Sequence, residues 1–129
     1  MNEPLFLSKA EVLAYHAQQI QLYGGDPGLR DAGLLDSALA QPQNTYLYHA
    51  QADLYDIAAA YAFHIAKNHP FIDGNKRTAL ESALGFLGIN HAQLSVAPDE
   101  LYAAMIRLTT SHEDKPGFAA FLRRHGRVL

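Results

Sequence analysis

Along most of this chain apolar positions recur every three to four residues, and caps, prolines and glycines punctuate the runs. Ser8-Lys9-Ala10-Glu11 has the Ser-x-x-Glu form of a capping box, and Val12, Leu13, Ile20 and Tyr23 then lead to Gly24-Gly25, a helix stop. After the turn residues Asp26, Pro27 and Gly28, Asp31 can cap a short helix carrying Leu34, Leu35, Ala38 and Leu39, which Pro42 closes. Residues 43–52 show no period and read as a loop. Asp53 caps the clearest helix, in which Leu54, Ile57, Ala58, Tyr61, Ala62 and Ile65 form one apolar stripe that ends near Asn68. Ala79, Leu80, Ala83, Leu84, Phe86 and Leu87 make another, closing at Gly88. Pro98 opens a helix with Leu101, Ala104, Met105 and Leu108, and a last one carries Phe118, Phe121 and Leu122. Only Leu94-Ser95-Val96 has strand character. With no repeat, low-complexity tract or linker, the pattern predicts an all-α fold: a compact single-domain bundle of about six helices spanning residues 1–129.

Composition narrows the function classes. The chain has 129 residues, 49% of them hydrophobic, enough to bury a core and to argue against disorder. Its apolar runs are too short for a membrane span, and Met1-Asn2-Glu3-Pro4-Leu5-Phe6-Leu7 lacks the basic and apolar regions of a signal peptide. The absence of cysteine excludes disulfides, thiol nucleophiles and Cys-ligated zinc, and fits a reducing cytoplasm. Ten Lys and Arg against thirteen Asp and Glu, a net charge of −3, argue against direct binding of nucleic acid. The one basic cluster, Arg123-Arg124-His125-Gly126-Arg127, reads as a solvated helix end whose cations complement the dipole.

Candidate chemistry concentrates in His69-Pro70-Phe71-Ile72-Asp73-Gly74-Asn75-Lys76-Arg77-Thr78, between two core helices. Pro70 disfavours helical geometry at His69, and Gly74 permits a tight turn just before the second helix. Backbone N–H groups at that helix start, with Gly74 allowing close approach, Asn75 as a neutral donor, Lys76 as a point charge and Arg77 as a fork, read as a phosphate cradle. Asp73 would meet phosphate through Mg2+, a hard ion suited to one or two carboxylates plus phosphate oxygens. His69 can take a proton near neutral pH and is the candidate general base. Phe71 is assigned to the core as the anchor of the loop. Taken singly, each polar residue is also an ordinary turn, cap or surface residue. Their joint spacing carries the inference. A metal site built from His64, His69 and Asp73 is disfavoured because Pro70 breaks the helix that would align them.

The stretch resembles the His-x-Phe-x-(Asp/Glu)-Gly-Asn-x-Arg signature of the Fic/Doc superfamily, and the match is nearest to its Doc (death-on-curing) toxin branch. Tyr23-Gly24-Gly25-x-Pro27-Gly28 and Arg30-Asp31-x-Gly33-Leu34-Leu35-x-Ser37-Ala38-Leu39 also resemble Doc-type chains. The resemblance implies a Fic/Doc-like fold with His69 as general base, Asp73 as metal ligand, and Gly74, Asn75, Lys76 and Arg77 as phosphate contacts, using ATP and Mg2+. Lys67, two residues before the histidine, is a further auxiliary candidate. AMP-transferring members usually carry Gly at Lys76 and a second Arg at Leu80. In the Doc branch the implied reaction moves the terminal phosphate of ATP to a threonine of elongation factor Tu and arrests translation. AMP transfer and a non-catalytic antitoxin-binding scaffold are the alternatives. The superfamily's inhibitory helix finds its nearest match at Thr109 to Asp114, ending in Asp and with Leu80 offering no Arg to pair, so no internal inhibition is expected. The implied restraint is a separate, Phd-like antitoxin whose C-terminal segment folds against the toxin. Tyr46 and Tyr48, in the expected loop of residues 43–52, are candidates for a flap that positions the target.

Overall fold

The computed structural model describes residues 3–129; Met1 and Asn2, part of the N-terminal stretch read above, lie outside them. The element order is α1 (Lys9–Tyr23), α2 (Ala32–Tyr48), α3 (Leu54–Asn68), α4 (Asn75–Ile89), β1 (Ala92–Leu94), α5 (Pro98–Thr109), α6 (Lys115–His125) and β2 (Gly126–Val128). The architecture is the all-α bundle of six helices that the periodicity predicts, with a two-stranded ribbon added at one edge.

Helix α3 is the centre. Asp53 accepts hydrogen bonds from the Tyr55 and Asp56 N–H groups, and the Asp56 carboxylate accepts one from the Asp53 N–H, closing a capping box that starts the helix. Ala58, Ala59, Ala60 and Ala62 are fully buried beside Ile57, Tyr61 and Ile65, so more than the single expected stripe is covered. Small side chains let α2, α4 and α6 approach this helix closely, and Phe86 of α4 and Phe118 of α6 fill the remaining space. The Ser8 capping box of α1 and the Asp31 cap of α2 form as expected.

Four expectations are corrected. Pro42 does not close α2, which continues to Tyr48. A mid-helix proline costs about 3 kcal/mol through its missing donor and its clash with the preceding turn; here its ring is buried, and the helix around it packs along α3. Residues 43–48 are therefore helix rather than flap, with Tyr46 packed edge-on against Phe6 at 6.1 Å. Strand β1 lies two residues earlier than 94–96 and pairs antiparallel with the unforeseen β2, with Ala92 opposite Val128 and Leu94 opposite Gly126. The end of α4 falls one residue beyond Gly88. The expected solvated cation Arg123 instead forks onto Asp53 at 2.6 Å and Asp56 at 3.0 Å, tying the end of α6 to the start of α3. No helix among the described residues is long and apolar enough to cross a membrane.

Candidate active site

Helix α3 ends at Asn68, and His69 turns the chain in the left-handed region at φ 52°, ψ 54°. For a residue with a Cβ this conformation costs on the order of 1 kcal/mol, so the surroundings must enforce it. Arg30 does so. Its Nε donates to the His69 carbonyl at 2.7 Å and its Nη2 to the Asn68 carbonyl at 2.9 Å. The Arg30 and Asp31 N–H groups both donate to the Pro70 carbonyl, and the Ile72 N–H donates to the Gly28 carbonyl. Residues 28–31 thus run antiparallel along the motif, with Leu29 bridged to Phe71. Gly28 packs closely under Ile72 and Asp26, so a Cβ there would displace the Ile72 Cδ1 end or the Asp26 carboxylate.

The loop is held from beneath as well. Phe71 is buried as expected, at 1% exposure, and the imidazole of His16 stacks on it at 3.8 Å and nearly parallel. His16 Nε2 lies 2.8 Å from the Asp73 carbonyl, so that nitrogen donates. The Asn75 side chain is bound back into its own loop. Its Nδ2 donates to the Phe71 carbonyl and its Oδ1 accepts from the Phe71 N–H, each at 2.9 Å. One oxygen of Asp73 accepts from the Asp26 N–H at 2.7 Å. The other has no hydrogen-bond partner among the described residues, and Asp73 lines a cleft of about 350 Å3.

That cleft gathers His69, Asp73, Gly74, Asn75, Lys76 and Arg77. Gly74, at φ 81°, stands at the N-cap of α4 with no side-chain cap, and no acidic residue occupies the first turn. The first-turn N–H groups therefore remain available to an anion. Arg77 is clamped between two phenol rings, 3.8 Å from the centroid of Tyr23 and 4.7 Å from that of Tyr102. Stacking holds a guanidinium by its faces and leaves the edge donors free, which suits a bidentate contact with phosphate. His69 is exposed at the cleft and free to meet an incoming hydroxyl.

Lys67 is not part of this group. It lies over the Phe63 ring at 5.5 Å and lines a different cleft, with Thr109 and Ser111. His64 is 3.0 Å from Lys115 Nζ, and no group of three metal-ligating side chains forms among the described residues. Burial first, then the charges of Lys115 and Lys67, push His64 down to about 4. Sequence reasoning missed His16, Gln19 and Tyr102 and the roles of Arg30 and Tyr23. His16 and Gln19 had one available signal: with Val12 they recur at positions i, i+4 and i+7, and these three are the buried residues of α1.

A model of the Fic/DOC family matches residues 6–87, which carry the whole of this loop and the helices on both sides. The chain belongs to the Fic/Doc family. It is 36% identical over 118 residues to the protein kinase doc of Escherichia phage P1, covering 92% of this chain and 93% of that one. It is 50% identical over 74 residues to the toxin Doc of Mycolicibacterium smegmatis, 57% of each chain. Both relatives put this Fic/Doc protein in the Doc branch.

Proposed function

We propose that this chain is a Doc-type toxin that transfers the terminal phosphate of ATP to a protein hydroxyl. One observation carries the reading: an uncapped helix start, with Lys76 and a clamped Arg77, opens beside an exposed histidine and one carboxylate. The names of the two relatives, a protein kinase and a toxin, support it.

In the proposed reaction the α4 N–H groups, Lys76 and Arg77 hold the phosphate oxygens and offset the charge that develops on them. His69 takes the proton of the attacking hydroxyl as its oxygen bonds to the terminal phosphorus. The bond from that phosphorus to the bridging oxygen breaks, and ADP leaves. Asp73 offers one carboxylate oxygen without a hydrogen-bond partner among the described residues, a hard donor that fits Mg2+ arriving with phosphate oxygens and waters. When bound, the ion neutralises phosphate charge. The site position of Leu80 supports phosphate transfer over AMP transfer, because it is apolar and buried where AMP-transferring relatives carry a second arginine. The inferred target is a threonine of elongation factor Tu, and the inferred partner is a Phd-like antitoxin.

The test is label transfer in a translation extract with ATP labelled at the gamma or the alpha phosphate, using His69→Ala as control. Gamma label on a protein of translation-factor size, lost in the variant, is expected. Alpha label would replace the reading with AMP transfer, and growth arrest undiminished by His69→Ala would remove the enzymatic reading.

A further inference from the structure

Two ammonium groups share one aromatic ring, that of Phe63. Lys67 Nζ lies 5.5 Å and Lys115 Nζ 5.6 Å from the Phe63 centroid, one reaching from the last turn of α3 and the other from the start of α6. Neither has a carboxylate within ion-pair distance among the described residues. The acids nearby are engaged elsewhere: Asp114 accepts from the Gly117 N–H, Glu113 from the Asp114 N–H, and Asp56 from Arg123. Lys115 is met by a neutral acceptor instead, His64 Nε2 at 3.0 Å, which orients the ammonium without cancelling its charge. Lys67 lines a cleft of about 450 Å3 with Thr109 and Ser111, and Lys115 lines a separate one of about 270 Å3 with Thr45, His49 and Asp56.

We propose that Lys67 and Lys115, gathered on the Phe63 ring, form a docking site for an acidic segment of the protein substrate. Like charges held on a shared apolar surface without a counter-ion repel one another and lose hydration. Carboxylates from a partner relieve both costs. The strain registers on the groups themselves, since burial and then the charge of Lys67 hold Lys115 below its ordinary value. A protein segment fits better than nucleic acid, because two cations on a chain of net charge −3 cannot track a phosphate backbone. Lys67 stands in the last turn of α3, two residues before His69, so the site lies at the same end of that helix as the candidate base.

The inference rests on the transfer reading, and two measurements separate them. Fluorescent hexaglutamate is titrated at low salt against the His69→Ala protein with and without Lys67→Gln and Lys115→Gln. The double substitution should weaken binding at least tenfold with an unchanged thermal midpoint, and Lys67→Arg with Lys115→Arg should retain it. Equal binding with and without the glutamines overturns the site, as does displacement of the peptide by ATP, or a twelve-nucleotide RNA that outcompetes the peptide at these lysines. Separately, Lys115→Gln should raise the KM for the labelled protein several-fold without raising that for ATP. A wild-type protein that transfers no label defeats the transfer reading, whereas label transfer with an unmoved protein KM defeats the docking site alone.

Discussion

The two ends of α3 treat charge in opposite ways. At the start, Asp53 and Asp56 cap each other's backbone and Arg123 bridges both, so every formal charge there has a partner within 3.1 Å. At the finish, Lys67, Lys76 and Arg77 have no ion pair among the described residues, and the α4 N-terminus has no cap. The polar atoms at that end that are satisfied belong to the scaffold: Arg30, His16 and Asn75 are bonded to backbone carbonyls of residues 68–73. A helix end that closes its own electrostatics stabilises the fold, and one that fixes its backbone yet leaves its cations open is prepared for an anion from outside. The difference lies in where hydrogen bonds go, not in how many charges are present.

The sharpest way to break the open end is Asn75→Ala. It removes both bonds to Phe71 and leaves a buried N–H and C=O without partners, a loss of about 2–4 kcal/mol by the usual cost of two unsatisfied buried groups. Denaturant unfolding should show this destabilisation, and label transfer should fall even where the protein stays folded. An Asn75→Ala protein of wild-type stability would mean that the clasp does not hold the loop. Next comes the clamp on Arg77. Tyr102→Ala frees one face of the guanidinium and should raise the KM for ATP about three- to tenfold, by the size of a partly exposed cation–π contact, while Tyr102→Phe should restore it. A fall in stability that phenylalanine repairs, with the KM for ATP unmoved, would reduce Tyr102 to packing.

At the closed end, Arg123→Ala should cost about 1 kcal/mol, since the pair is partly exposed but forked and networked. Burial works to raise the Asp53 carboxyl, but the Arg123 and Asp56 interactions outweigh it and hold the group below its ordinary 3.8. Its folded value is the lower one, so this stabilisation is present above 3.8 and fades as pH falls further. The Arg123→Ala penalty should therefore be full at neutral pH and shrink in acid. A penalty independent of pH would assign Arg123 a packing role instead.

How much of this contrast was legible in the chain depends on whether local chemistry or tertiary contact decides each residue. The caps at Ser8, Asp31 and Asp53, the break at Pro70 and the buried Phe71 follow from short-range rules, and each is found. The meeting of His69, Asp73 and the α4 start was legible because ten consecutive residues hold it. Pro42 misled because its cost is local while the packing of α2 on α3 that offsets it is not. The contacts of Arg30 and Tyr102 were invisible for the same reason: they reach the site across 39 and 25 positions from His69 and Arg77, and nothing beside them in sequence marks a partner. Asn75 was seen but its hold on Phe71 was not, since a side chain that bonds back into its own loop has the same spelling as one that faces a ligand.

The smallest effect belongs to His64, beside the open end. Its folded value of about 4 is below the ordinary 6.5, so in this interval the unfolded chain binds the proton that the folded chain refuses. Stability is therefore full above 6.5 and declines as pH falls toward 4, the opposite of a histidine that gains a carboxylate partner. Half of the group faces solvent, which limits the loss to on the order of 1 kcal/mol rather than the full value of the shift. His64→Gln keeps an acceptor for Lys115 and removes the titration, so chemical unfolding of this variant should lose less stability between pH 6.5 and 4 than the wild type does. An identical slope in the two proteins would show that His64 charges freely in the fold. It would then face Lys115 as a third cation, and the open end would carry more repulsion than the neutral imidazole allows.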